Sequence, residues 1–149
     1  MNPLNLPEFK FKTQQSKGKT RIYDEIRKKY VALTPEEWVR QHIIRFLCEF
    51  KNYPPPLMAV ETSVIINGLK QRADLVVYNR KGTPEMIVEC KAPSVQITNQ
   101  VFDQAARYNM TLNVSYLVIS NGMNHFCAKL NYANNTYSFL KNIPDFNEL

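Results

Sequence analysis

Glycine is scarce in this chain, four residues in 149, and no repeat, heptad or low-complexity tract is present, which excludes fibrous, solenoid and disordered architectures. Cysteine is scarce too: Cys48, Cys90 and Cys127 are odd in number and far apart, matching neither a disulfide framework nor a CxxC metal knuckle. They fit a reducing compartment. The two histidines, His42 and His125, stand at no ligand spacing from a cysteine or from each other, so zinc is excluded, and His42 is expected at the surface or rim of a helix. Ser115 and Ser120 lack the glycines of a nucleophile elbow, which removes an esterase. A phosphate loop of the GxxxxGK[ST] kind is missing, so ATP use is not expected. No run approaches the ~20 apolar residues of a membrane span, and the opening MNPLNLPEFKF has no signal-peptide core, so a cytoplasmic protein is expected.

What is present is the composition of one folded domain, 44% hydrophobic and 21% charged. The net charge of +6 favours a polyanionic partner. The excess is uneven: Lys10, Lys12, Lys17, Lys19, Arg21, Arg27, Lys28 and Lys29 face only Glu8, Asp24 and Glu25 in the first 29 residues. Residues 1–20 show no periodicity and read as a basic arm, either solvated or in contact with phosphate, leaving 21–149 as a single domain.

Helix signals are strong at Thr34, Pro35 and Glu37, which suit an N-cap, a first helical position and the acid of a capping box. A helix is expected over 35–50, with Val39, Ile43, Phe46, Leu47 and Phe50 on its packed stripe and Glu36 along the same line. Tyr53-Pro54-Pro55-Pro56 stops it. Strands are expected over 57–66 and 69–78, joined by a hairpin turn at Asn67 and Gly68, and over 85–92 after a turn at Arg80–Pro84. Thr98 caps a second helix to about residue 112, with Val101, Ala105 and Tyr108 on one face. The apolar run 114–120 reads as a strand buried on both sides, and 125–130 with 136–140 as a closing hairpin. The fold class is α/β: helix, three-strand meander, helix, strand, and an extra C-terminal hairpin.

Charged residues interrupt two of the apolar strands. Glu89 and Lys91 share one face of the third strand, about 7 Å apart, and Asp74 stands on the neighbouring strand. Two carboxylates that converge, with waters completing an octahedron, suit Mg²⁺, with Mn²⁺ able to substitute. Lys91 is placed to orient water or balance charge on a phosphorane, and Glu36 to add a third carboxylate. An ordinary Glu89–Lys91 ion pair and a dipole-favoured Glu36 are the plainer readings of the same residues.

These residues resemble the PD-(D/E)XK nuclease superfamily. In closer detail LTPEEWVRQHIIRFL, RADLVVYN, IVECKAP, QAARYN and YLVISNG resemble the N-terminal nuclease domain of type I restriction enzyme R subunits, over roughly residues 20–130. The resemblance implies a magnesium-dependent DNA endonuclease core. Asp74 and Glu89 would be its metal ligands, Lys91 its catalytic lysine and Glu36 the acid of the first helix, with Gln104 and Tyr108 as a QxxxY element beside the site. Action alone, as a homodimer, or within a larger restriction or repair complex are all open to such a chain. Ala73 stands where the superfamily name has proline. The rival expectations are a nucleic-acid-binding module with a vestigial site, and an assembly module in which the charges only pair.

Overall fold

Thr34 starts the first helix, α1 (Pro35–Phe50): its hydroxyl accepts the Glu37 N–H at 3.1 Å, and Pro35 occupies the first turn, where no donor is required. Val39, Ile43 and Leu47 are fully buried, as the stripe predicted, while Phe46 is partly buried and Phe50 is exposed. The computed structural model describes residues 1–66 and 68–149.

The other side of α1 is not solvated either. Residues 1–12 lie across it without regular structure: the Trp38 indole N–H donates to the Asn2 carbonyl, Arg45 donates to the Lys10 carbonyl, and the Phe9 and Phe11 rings stand 5.9 and 4.9 Å from His42. His42 is therefore buried, contrary to its expected place at the rim, and burial lowers its pKa. The segment also reaches the chain's later turn, where Asn5 N–H donates to Gly122 O at 2.8 Å. A Cβ on Gly122, whose φ is +86°, would stand 2.8 Å from Leu4 and 3.1 Å from Val39, so glycine is required there.

A three-stranded antiparallel sheet follows: β1 (Thr13–Ser16), β2 (Lys19–Asp24) and β3 (Lys29–Ala32). The irregular arm expected over 1–20 thus contains one strand and the start of another. The pattern hid them because TQQS and KTRIYD place only Ile22 and Asp24 in the interior, which leaves no apolar alternation to see.

The main sheet runs in the order β4-β5-β6-β7-β8-β9, comprising β4 (Met58–Ile66), β5 (Leu69–Tyr78), β6 (Pro84–Cys90), β7 (Tyr116–Ser120), β8 (His125–Asn131) and β9 (Thr136–Leu140). Every neighbouring pair is antiparallel except β6 and β7, which α2 (Asn99–Thr111) connects as a crossover. Of the turn expected at Asn67 and Gly68, Asn67 lies outside the described residues; Ile66 and Leu69 are paired, and Gly68 has φ +77°.

One face of the sheet packs Val60, Leu75, Val77, Met86 and Val88 against α1. The other packs Val76, Ile87, Leu117 and Ile119 against α2. The central β7 is buried at every residue, which explains its unbroken apolar sequence. On α2 the buried face is Phe102, Ala106, Asn109 and Met110, not the expected Val101, Ala105 and Tyr108. The two stripes lie about 100° apart on the helix, and the one carrying Phe102 and Met110 buries more apolar surface. Among the described residues the molecule is a mixed α/β fold of two α-helices and two sheets; from Pro35 onward the elements follow the order the sequence implied, while the β1–β3 sheet before them was not expected.

Candidate metal centre

The site begins where two strands part. β5 and β6 are in register from Tyr78 and Pro84, through an irregularity at Val77 and Tyr78, to Leu75 and Val88. At the next position the Asp74 carboxylate enters the gap, its Oδ2 accepting the Cys90 N–H at 2.9 Å. Glu89 is held from the other side, because β6 continues its parallel ladder with β7 through Glu89–Ile119 and Cys90–Ser120. Lys91 N–H then donates to Ser120 O at 2.8 Å, which fixes the residue as it leaves the strand.

Alternation puts Glu89 and Lys91 on one face and Cys90 on the other. The Lys91 Nζ stands 3.8 Å from Glu89 Oε2. Asp74 and Glu89 line a cleft of about 120 Å³ together with Arg72, Ala73, Ile87 and Asn109. Burial pushes the Glu89 carboxyl above its usual range, Lys91 pulls it back, and the charge of Asp74 pushes it up again. The structure thus brings the carboxylates of Asp74 and Glu89 together, with the Lys91 ammonium beside Glu89.

Glu36 does not join them. It is exposed, and among the described residues no three Asp, Glu, His or Cys side chains are grouped to hold a metal ion. The buried acid of α1 is Glu37, one residue on, because Arg27 from the β2–β3 turn reaches it at 2.8 Å. Nor does Glu37 close a capping box: its carboxylate takes Arg27, Arg40 and Gln41, while Thr34 N–H donates to Ala32 O. Gln104 and Tyr108 are both exposed on α2, and neither lines the cleft. The α2 residue that does is Asn109, 2% exposed, with its Nδ2 donating to Ala105 O at 2.7 Å. Its signal in the sequence was a polar residue between the bulky positions of an amphipathic helix, where asparagine has low helical propensity.

Sequence reasoning also missed an ionic network beside the site. Arg27 contacts Asp24 at 2.6 Å as well as Glu37, and Arg40 contacts Glu37 at 3.0 Å and Glu61 at 3.1 Å. Arg40 Nη1 also donates to the Asp74 carbonyl at 3.4 Å, so the network touches the backbone of the carboxylate pair. Glu61 lies between the registered pairs Val60–Leu75 and Thr62–Ala73, opposite Asp74, and has φ +47°. A non-glycine residue rarely adopts that conformation, and here Arg27, Arg40 and Arg72 all reach its carboxylate.

Fold and site define a mixed α/β domain carrying an acidic pair at a strand fork. Residues 35–144 match the family model for the Type I restriction enzyme R protein N terminus (HSDR_N), and the chain belongs to that family. Among solved structures it resembles a fragment of a putative HsdR subunit of a type I restriction enzyme from Vibrio vulnificus YJ016, with TM-score 0.55 and 21% identity over 78% of this chain. The match spans 24% of that chain. No curated protein matches.

Proposed function

We propose that this protein is a divalent-metal-dependent nuclease of the PD-(D/E)XK type that hydrolyses phosphodiester bonds of DNA. The observation that carries the reading is the pairing of Asp74 and Glu89 in one cleft, with the Lys91 ammonium beside them. Two neighbouring carboxylates, with the charge of Asp74 raising the proton affinity of Glu89, in a cleft open enough for water, form a donor set suited to a hard cation with several water ligands. Mg²⁺ held by Asp74 and Glu89 would polarise the phosphoryl group and make hydroxide accessible near neutral pH, and Mn²⁺ would substitute.

The protein's own groups supply the rest. The Cys90 N–H fixes the direction of the Asp74 carboxylate, and the β7 ladder fixes Glu89, so neither acid must be ordered when substrate arrives. Lys91 donates hydrogen bonds to the attacking water or to a non-bridging phosphate oxygen and offsets the charge that builds there. Gln104 and Tyr108, on the exposed surface of α2, would meet the substrate and not the metal. Membership of the restriction R-subunit family supports DNA as the substrate and a larger restriction complex, or a homodimer, as the working form. Among the described residues no helix is long and apolar enough to cross a membrane, and we place the protein in the cytoplasm.

The test is incubation of wild type, Asp74→Asn and Lys91→Ala with supercoiled plasmid and with single-stranded DNA, in Mg²⁺, Mn²⁺ or EDTA. Nicking that needs metal and falls about a thousandfold in both variants is expected, the size typical of losing one aligned electrostatic group. Equal cutting by Asp74→Asn sinks the proposal. Binding without turnover in any metal would favour the vestigial-site module.

A further inference from the structure

The family match begins at residue 35, yet the sheet formed by β1–β3 precedes it and is built into the molecule. Its inner face is spent on the fold: Ile22 is fully buried, and the Asp24 carboxylate is taken by Arg27 and by the backbone N–H groups of Ile26 and Arg27. The outer face has no such partner. Register places Gln14 beside Arg21, Ser16 beside Lys19 and Tyr23 beside Tyr30, so that Lys19, Arg21 and Tyr23 share one face of β2 with Tyr30.

The two tyrosine rings meet edge to face at 5.2 Å, and the Lys12 ammonium stands over Tyr23 at 5.6 Å. Both rings are half-buried, whereas Lys19 and Arg21 are exposed. Among the described residues none of Lys12, Lys19 and Arg21 forms an ion pair, in contrast to every other arginine of this region: Arg27, Arg40 and Arg45. Glu8 and Glu25 are the nearest exposed acids in sequence, and Glu25 lies in the β2–β3 turn with Lys28, just before Lys29. A folded face with three unneutralised cations around paired aromatic rings complements a phosphate chain that carries its own apolar bases. A protein surface of acidic side chains would offer the charge but nothing for the rings.

We infer that the outer face of the β1–β3 sheet is a docking surface for nucleic acid, with Lys12, Lys19 and Arg21 on the phosphates and the Tyr23–Tyr30 pair against sugar or base. The inference rests on the nuclease reading for its choice of polymer, but not on the chemistry at Asp74. Lys19 and Arg21 lie about 7 Å apart along β2 and would each displace counterions from the strand they hold. Arg27 joins this sheet to α1 and β4, so a strand docked on the sheet is held by a body rigidly tied to the cleft.

The experiment is fluorescence anisotropy of full-length protein with labelled duplex and single-stranded oligonucleotides in EDTA, across a salt series. The variant is Lys19→Glu with Arg21→Glu, and the charge-matched control is Lys81→Glu with Lys141→Glu, both on exposed turns elsewhere. Far-ultraviolet circular dichroism checks folding, and Lys19→Gln with Arg21→Gln replaces the reversal should it disturb the sheet. Binding at least tenfold weaker, with a salt slope shallower by about two, is expected for the sheet variant only. Unchanged affinity and slope, an equal loss in the control pair, or no wild-type binding at low salt overturns the inference. So does loss of binding to phosphatidylserine vesicles with DNA binding intact. Selective loss of DNA binding with no cutting by wild type in any metal leaves the surface standing and removes the nuclease. Metal-dependent cutting that Asp74→Asn abolishes, with DNA binding unaffected by the sheet variant, does the reverse.

Discussion

The cluster of Asp24, Glu37 and Glu61 with Arg27, Arg40 and Arg72 sets three carboxylates against three guanidiniums, whereas Asp74 and Glu89 are faced by the ammonium of Lys91 at 3.8 Å from Glu89. The first cluster is closed: Asp24, Arg27, Glu37 and Arg40 meet in ion pairs of 2.6–3.0 Å, and Gln41 adds a further donor to Glu37. The second is open, with like charges neighbouring one another in a cleft. A closed buried network fastens elements together and has nothing left to bind. An open one keeps charge with which to bind a cation, and the contrast therefore sets the scaffold apart from the proposed site.

Breaking the closed cluster should have the largest effect on folding. Glu37→Ala removes a carboxylate that is 5% exposed and leaves Arg27 and Arg40 with the more exposed Glu61 as the acid they still share. Losing one side of a buried ion pair costs about 3–5 kcal/mol. Urea denaturation should show a loss of that size; a change under about 1 kcal/mol would mean that packing, not the network, holds the β1–β3 sheet to α1.

The open cluster should respond in the opposite sense. Asp74→Asn keeps an oxygen for the Cys90 N–H and removes a charge that disfavours ionised Glu89, so the metal-free protein should be as stable as wild type or more so. In Mg²⁺ the order should reverse. A cation at a hundred times its Kd stabilises wild type by about 2.7 kcal/mol, and the variant should gain none of it. Thermal melting with and without Mg²⁺ measures both halves. An equal rise in Tm for the two proteins would place the cation elsewhere.

Why the open cluster was legible in the sequence and the closed one was not follows from where their partners come from. Asp74 and Glu89 sit on two strands that adjoin in sequence, with Lys91 at the end of the second, and the apolar flanks mark the faces, so pairing rules alone bring them together. The closed cluster needs Arg27, which arrives from a sheet without apolar alternation, and Glu61, whose conformation departs from an ordinary strand. The order of helices and strands from Pro35 to Leu140 was legible for the first reason. The choice of Glu37 over Glu36, and the rotation of α2 that buries Asn109, depend on neighbours distant in sequence.

Acid should dissolve the closed cluster before the rest of the fold. Burial alone would raise the Asp24 carboxyl, but the Arg27 backbone and guanidinium outweigh it and hold Asp24 below the usual range. Glu61 is lowered too: partial burial opposes the shift, and Arg40, Arg27 and Arg72 overcome it. A carboxyl whose pKa is depressed by folding lends stability that is whole above its unfolded value near 4 and is lost as pH falls through the folded value. Wild-type stability should therefore decline below about pH 5, and Asp24→Asn should show a shallower slope across the same window in pH-jump urea titrations. Parallel slopes would assign the acid sensitivity to other groups.

The smallest effect sharpens the comparison most, because it concerns the acid that sequence placed at the metal and structure placed in solvent. Glu36 is exposed in the first turn of α1, where an acid gains from the helix dipole but touches neither cluster. Glu36→Ala should cost at most about 0.5 kcal/mol. It should leave plasmid nicking within twofold of wild type and preserve the Tm rise in Mg²⁺. Thr34 already satisfies the helix start through the Glu37 N–H, so no capping loss is added. Should the variant instead lose the Mg²⁺-dependent rise while folding normally, the acid of the first helix would have to turn into the cleft when the cation binds. The centre would then comprise three carboxylates, and α1 would belong to the site as well as to the scaffold.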